Sequence, residues 1–311
     1  MTSNSEIDAL SHKWLGKLIR LNPATGRGNC AGKAPHKPLL LLCLLDMAED
    51  GEITQRTFIR TPDLVLRFKA YGGLVTDRWP TRLNLSMPFF FLKSQGFWSA
   101  FTTEMQPALS PESCVLCEMH EEFFALLTDA DFRLKARLLL LSHYFTKPEQ
   151  LALMTSMGLR DDARAPLPSV EKLSGEAADA ARRKGRSARF AVQVVSSYKF
   201  TCALTGLCCI TSDGSAVVDA AHIEPRAKTY NDDPRNGLAL SKNAHWMFDE
   251  GLWSIAHDGR ILVAKRRFTE FGPDQLRLAS YEGRFLQFAD GVSLRPTERY
   301  FDTHRRLHNF H

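Results

Sequence analysis

Two histidines and one asparagine at close spacing in the C-terminal third of the chain constrain its fold most. Thirteen residues separate His222 from Asn236, and eight separate Asn236 from His245. The apolar residues ahead of His222 predict a short strand that delivers this histidine. The segment 224–235 is polar and contains two prolines and an Asn-Asp-Asp run, so it predicts a loop. The strand therefore leads into a loop that ends near the asparagine.

A short helix is predicted to carry the second histidine. Ser241 is a good N-cap, residues 242–250 favour a helix, and Gly251 is typical of a helix end. This order of strand, loop and helix, with a His at each end and an Asn between, resembles the HNH nuclease domain and its ββα-metal fold. Residues 198–206 resemble the opening hairpin of that family, and residues 248–252 resemble its exit from the helix.

Phosphodiester hydrolysis explains why these residue types occur together. The reaction needs a base to activate water and a cation to hold the charge of the phosphoryl group. We expect His222 to be the base, since imidazole titrates near neutral pH, and His245 to be a metal ligand. The resemblance implies that Asn236 fixes the loop, and so aims His222, through side-chain to backbone hydrogen bonds. It also implies a divalent cation, Mg²⁺ or Mn²⁺.

The residue before the predicted base departs from the family pattern. HNH enzymes usually carry a metal-binding Asp or His there, and this chain has Ala221, which cannot bind metal. Asp219 is on the same strand face and is an alternative ligand if the backbone bends or a water bridges. Ala221 also leaves open a degenerate HNH module that binds DNA without cutting it. No structural zinc is predicted, because Cys208 and Cys209 are adjacent and four-cysteine spacing is absent.

Length and composition predict a two-domain protein of ordinary globular type. The chain has 311 residues, of which 44% are hydrophobic and 24% charged. A net charge of +5 permits nucleic-acid binding without proving it. The odd number of cysteines, seven, suggests reduced thiols and a cytoplasmic protein. We expect no membrane partner, because the most apolar stretch, 39–45, is too short to span a bilayer.

The N-terminal part of the chain predicts a mixed helical and strand domain. Residues 5–20 have helical periodicity, 21–37 form a glycine-rich basic arm, and 39–47 predict a helix that is buried on every side. The N-terminus of that buried helix is a candidate anion site, flanked by Lys33, His36 and Lys37. A solvated basic loop is the alternative.

Three further segments complete the prediction for this domain. Residues 58–75 predict a helix, 83–98 predict a strand or a pair of strands after a proline corner, and 118–145 return to helical patterning. Trp79 stands beside basic residues that are candidate DNA contacts, although it could equally belong to the core; the basic residues are Arg78 and Arg82.

The N-terminal pattern resembles the sulfur-binding domain of phosphorothioate-dependent, McrA-like restriction endonucleases. The resemblance rests on residues 34–42, on Pro88 with the Phe after it, and on the Gly-Phe-Trp at 96–98. In that family the domain precedes an HNH domain, as here. The resemblance implies basic residues on the DNA backbone and a small apolar pocket for sulfur near Pro88. Met87 stands where the family usually has Tyr, and its polarisable side chain could still line such a pocket.

The sequence therefore predicts an α+β protein with a recognition domain at 1–154, a linker at 155–186 with weak packing, and an HNH domain at 187–311. Its predicted function is that of a restriction-type endonuclease acting on double-stranded, modified DNA in antiviral host defence. One base and one metal cut one strand, so a double-strand break needs a second copy or a second event, and a homodimer is possible. An N-terminal domain that senses a small signal or a protein partner is the alternative.

Overall fold

The computed structural model describes residues 4–81, 83–159, 173, 175–225, 230–292 and 294–310. The predicted DNA contact Arg82 and much of the predicted linker lie outside these residues. Contacts divide the chain into two compact units, Met1–Arg189 and Phe190–His311, with the division inside one helix. Helices and strands are both present, which confirms the α+β class. No helix among the described residues has the length and apolar character needed to cross a bilayer.

The first unit combines helices with a small antiparallel sheet in the order β1-β3-β2. Its helices are α1 Asn4–Ile19, α2 His36–Glu49, α3 Pro62–Gly72, α4 Ser86–Phe91, α5 Glu121–Leu127, α6 Ala130–Tyr144 and α7 Lys147–Ser156. Its strands are β1 Thr57–Ile59, β2 Trp98–Phe101 and β3 Leu116–Met119.

Helix α2 is the centre of the first unit, as the apolar run at 39–45 predicts. Every residue from Pro38 to Met47 is buried. The buried Asp46 carboxylate is matched by Arg67 Nη1 at 2.5 Å and by the Tyr71 hydroxyl, which donates to it, also at 2.5 Å. Such pairing is required because an unpaired buried carboxylate would be strongly destabilising. These partners compensate for the burial of the Asp46 charge in the last turn of the helix.

The prediction of strands across 83–98 was wrong. Residues Ser86–Phe91 form α4, Leu92–Gln95 form a 3₁₀ turn, and strand β2 begins only at Trp98. Pro88 is compatible with this helix because it lies in the first turn, where its missing N–H would have no partner. The phenylalanine run is buried on one side of α4, a pattern that a strand would also give.

The expectation of weak packing across 155–186 was also wrong where the structure describes these residues. Helix α8, Gly175–Ser197, begins inside this range, and Ala178 and Ala181 are buried in the core of the first unit. Gly185 lies so close to the Ala152 carbonyl that a Cβ would clash with it. Small residues therefore let α8 approach α7 closely.

The second unit contains a hairpin with a helix packed on it. Strands β4 Val218–His222 and β5 Gly237–Ser241 are antiparallel, and helix α9, Lys242–Asp249, contacts both. A second hairpin, β6 Trp253–Ile255 and β7 Ile261–Val263, follows, and helix α10, Glu298–Leu307, packs against β6. The predicted strand at His222, the helix at His245 and the later hairpin are confirmed in that order, whereas strand β5, directly before α9, was not predicted.

Candidate functional site

The β4–β5 hairpin and helix α9 place the two histidines and the asparagine in one supersecondary unit. His222 is the last residue of β4 and pairs across the hairpin with Gly237. Asn236 ends a 3₁₀ turn immediately before β5. His245 lies in the middle of α9, next to Ala244, which is buried against the unit's core.

Two side chains contact the ring of His222, one on its face and one at its edge. Phe190 stacks on it with the centroids 3.8 Å apart and the planes inclined by 10°. At the edge, Nε2 lies 3.2 Å from Asp232 Oδ1. Both side chains are largely shielded, with 17% of His222 and 9% of Asp232 exposed. These contacts fix the orientation of the imidazole before any substrate arrives.

Asn236 is fully buried and bonds the loop that it closes. Its Oδ1 accepts from the Glu224 N–H at 2.9 Å, and its Nδ2 donates to the Glu224 and Asn231 carbonyls at 3.2 and 3.1 Å. These are side-chain to backbone bonds across both ends of the loop. Because Glu224 follows His222 by two residues, the same bonds hold the backbone beside the histidine.

The carboxylate beside His245 is Asp249, one helical turn later. Asp249 Oδ2 lies 3.4 Å from His245 Nε2. Burial raises the pKa of Asp249, the charge of His245 opposes this rise, and the charge of Glu250 adds to it; His308 and His222 have smaller lowering effects. An imidazole nitrogen and a carboxylate oxygen are suitable donors for a divalent cation, with water and substrate oxygens completing the shell.

Asp219 is engaged elsewhere. Its Oδ2 lies 2.5 Å from Lys242 Nζ, and both side chains are exposed. Ala221, between Asp219 and the histidine, is fully buried. Among the described residues, one group of three potential ligands lies within 4.8 Å: His257, Glu298 and Asp302. Arg305 already bonds both acids of that group, so it is an ion-pair network.

An open cavity of about 460 Å³ lies in the first unit. We call it the N-terminal cavity, and the residues that line it are Asn22, Pro23, Ala24, Ala34, His36, Lys37, Trp79, Met87, Pro88 and Phe91. The structure thus brings the start of α2 next to the Met-Pro of α4. Two exposed apolar side chains, Met87 and Phe91, border the cavity, and the buried Trp79 contributes to its wall.

The basic residues of the N-terminal cavity are partly desolvated. His36 packs edge-on against Trp79 with centroids 5.7 Å apart, and burial lowers the pKa of His36. Burial also lowers the pKa of Lys37, whose Nζ donates to the Asn22 carbonyl at 3.0 Å and to Gln95 at 2.8 Å. The ammonium is therefore fixed at the cavity.

Arg78 and Lys33 do not line this cavity. Arg78 Nε lies 3.0 Å from Glu149, and its Nη1 donates to the Ala31 and Lys33 carbonyls at 3.1 and 2.7 Å. The Arg78 guanidinium therefore holds the backbone of the basic arm at Ala31 and Lys33. Lys33 Nζ lies 5.6 Å from the centre of the Tyr144 ring.

Comparison with known families agrees with this geometry in both units. Residues 202–256 match the family described as HNH endonuclease, and residues 12–162 match the ScoMcrA-like DNA sulfur-binding domain. The chain combines an HNH endonuclease domain with a DNA sulfur-binding domain. A solved structure titled "Modification dependent TagI restriction endonuclease" is similar at 22% identity and a TM-score of 0.31, over 40% of this chain and 38% of that one. No curated protein matches.

Sequence reasoning missed three residues of the HNH site. Asp249 could have been found, because it follows His245 by four positions and so lies on the same helix face. Asp232 belongs to an Asn-Asp-Asp run that indicates a turn equally well. For Phe190 the sequence predicts only an apolar residue that packs in the core. Its contact with His222 joins distant parts of the chain, so no local pattern predicts it.

Proposed function

We propose that the protein is a restriction-type DNA endonuclease, with His222 of the HNH domain as general base. The observation that carries the proposal is the fixed imidazole at the end of β4, held by Phe190 and Asp232 in a domain that matches the HNH family. With Nε2–H directed at Asp232, the lone pair of the neutral ring is on Nδ1. That nitrogen accepts a proton from water as the water oxygen attacks phosphorus and one P–O ester bond breaks.

His245 and Asp249 are the residues that we propose would hold a divalent cation, as their 3.4 Å separation suits two ligands of one ion. Asp219 remains the alternative carboxylate, and it would have to leave Lys242. When bound, the cation supplies charge stabilisation for the phosphoryl oxygens. Binding of Mn²⁺ by Asp249→Asn and Asp219→Asn distinguishes the two, because loss of a ligand weakens affinity and loss of a surface ion pair does not.

We propose that the N-terminal cavity receives a modified DNA backbone, with phosphorothioate as the modification. Replacing a phosphate oxygen with sulfur keeps the charge and weakens hydration. An apolar wall of Met87, Pro88 and Phe91 favours the less hydrated atom. Lys37, on the same cavity, supplies charge attraction for the phosphate, and the His36 ring, kept neutral by its lowered pKa, can donate a hydrogen bond to it. Arg78 acts indirectly, by holding the arm that carries Lys33.

Cleavage of matched plasmids tests both halves of the proposal. Unmodified, phosphorothioate-modified and cytosine-methylated plasmids are incubated with Mg²⁺ or Mn²⁺ and either wild type or His222→Ala. We expect cutting of the phosphorothioate plasmid alone, abolished by the substitution. Equal cutting of all three plasmids would retain the nuclease and refute the modification reader. No cutting with any metal would refute the nuclease and favour a DNA-binding module that lacks activity.

A further inference from the structure

Asp232 is a shielded carboxylate in the loop between β4 and β5, and the match to the HNH family gives it no role. Its Oδ1 lies 3.2 Å from Nε2 of His222, and only 9% of its side chain is exposed. A carboxylate loses hydration when it is buried, so its position needs a compensating partner. The imidazole N–H of His222 is a donor at the right distance.

The residues on either side of Asp232 are fixed by hydrogen bonds. Asn236 Nδ2 donates to the Asn231 carbonyl at 3.1 Å, and the Asp233 N–H donates to Asn231 Oδ1 at 3.1 Å. The Asn236 N–H also donates to the Asp233 carbonyl at 2.8 Å. The buried Asn236 thus bonds the residues on both sides of Asp232, and these bonds hold the backbone that carries its carboxylate beside the histidine.

We propose that Asp232 is a positioning residue for His222. Its carboxylate accepts the Nε2–H, which selects the tautomer with the lone pair on Nδ1, and it stabilises the imidazolium that forms when Nδ1 takes a proton. The proposal rests on the proposed function, in which His222 is the base. Asn236 then acts on His222 by two routes, through the backbone at Glu224 and through Asp232.

Two other acids near the site have close partners other than the His222 ring. Asp233, the next residue, bonds the guanidinium of Arg235, with Oδ2 and Nη2 2.6 Å apart. Asp249 reaches His222 from α9 by a longer-range interaction and lies within 3.4 Å of His245. Of these three acids, Asp232 is the one whose contact with the His222 ring has hydrogen-bond geometry, and Asp233 is its matched control.

The test uses full-length wild type, Asp232→Asn, Asp232→Glu and Asp233→Asn. Nitrogen NMR of labelled histidine reports the tautomer and the pKa of His222 without any need for activity. In Asp232→Asn we expect the pKa of His222 to fall by about one pH unit and the Nε2–H tautomer to lose population. In Asp233→Asn we expect neither change. Asp232→Glu, which keeps the charge, should restore most of the pKa.

Single-turnover cleavage against pH supplies the second readout. In Asp232→Asn we expect the plateau rate to fall on the order of 10- to 100-fold, the size seen when a group that orients a functional imidazole is removed. The acid limb of the profile should move to lower pH, because a less basic imidazole stays neutral further into acid. Asp233→Asn should keep both the plateau and the limb.

Two outcomes would overturn the positioning role. An unchanged His222 tautomer and pKa in a folded Asp232→Asn protein would mean that the carboxylate does not act on the ring. A loss of Mn²⁺ affinity greater than tenfold, with His222 unchanged, would make Asp232 a metal ligand instead. If wild type cleaves no DNA, the proposed function fails by itself, and the NMR titration still decides whether Asp232 fixes the ring.

Discussion

The surroundings of His222 and the wall of the N-terminal cavity differ in what holds their side chains in place. Around His222 the backbone at Glu224 and Asn231 is fixed by polar contacts of defined geometry, the three bonds of the buried Asn236. The N-terminal cavity is walled mainly by apolar side chains, such as Met87 and Phe91, that stay partly exposed. Proton transfer requires a group within hydrogen-bond reach, whereas preference for a weakly hydrated atom requires only apolar surface.

Removing the proposed base should give the largest effect, because proton transfer from water depends on one nitrogen of the His222 ring. We expect His222→Ala to lower the single-turnover cleavage rate by about 10³-fold, the middle of the range for general-base catalysis. Binding of DNA should be unchanged. His257→Ala removes an exposed histidine of the same domain and serves as the control. Residual cleavage within tenfold of wild type would place the base elsewhere.

Substitution of Gly237 tests whether the His222 site depends on the packing of Phe190 and Val194 around it. An added Cβ at Gly237 would overlap Val194 and lie 2.9 Å from Phe190, the ring that stacks on His222. We expect Gly237→Ala to lower the free energy of opening of β4 and β5 by about 2 kcal/mol, as for other overpacked cores, and to slow cleavage. Amide hydrogen exchange of the hairpin measures the first effect.

Gly73→Ala is the matched control for Gly237→Ala. An added Cβ at Gly73 has no neighbour within 4 Å among the residues that the structure describes. Its φ of −60° also suits alanine, so we expect little change. Equal exchange in wild type and Gly237→Ala would mean that Phe190 and Val194 can move aside freely, and the site would be less rigid than its contacts indicate.

The two sites also differ in how much of them the sequence could predict. The residues of the HNH site lie within one short stretch, so local signals such as Ser241 and Gly251 locate its strand, loop and helix. The N-terminal cavity is assembled from four separate segments, and periodicity says nothing about which of them meet. The phenylalanines at 89–91 led to the wrong prediction of a strand, because an apolar run suits a strand as well as a buried helix.

A third prediction concerns His304, which stabilises the HNH domain in its neutral form. The ring is buried and stacked on Phe248, with Nδ1 2.9 Å from Ser254 Oγ and Nε2 3.2 Å from the Phe248 carbonyl. Burial, followed by the charge of His308, lowers the pKa of His304 to about 3, below the usual value of 6.5. Between these two values the unfolded state binds more protons, so stability falls as the pH drops below 6.5.

At pH 5 the resulting loss for His304 is about 2 kcal/mol relative to pH 7.5. Amide exchange of β6, measured at both pH values, should show this loss in wild type and much less of it in His304→Gln. The N-terminal cavity should show a change of the same sign, because burial also lowers the pKa of His36. A β6 stability that is the same at both pH values would mean that His304 titrates normally in the folded protein.

The smallest effect is expected at the apolar wall, where no single atom is decisive. Met87 is 43% exposed, so its truncation removes only part of a side chain's burial, about 1 kcal/mol. Met87→Ala should therefore weaken binding of a phosphorothioate duplex about fivefold and leave an unmodified duplex unaffected. Met105→Ala, at a methionine that is 52% exposed and does not line the cavity, is the control.

Lys37→Ala separates charge from apolar contact at the same cavity. It should weaken both duplexes alike and reduce the slope of log affinity against log salt by about 1, because one phosphate contact is lost. If Met87→Ala also weakened both duplexes alike, the wall would contribute general affinity and no preference for sulfur. The two sites would then differ in geometry alone, and the modification would have to be recognised outside the N-terminal cavity.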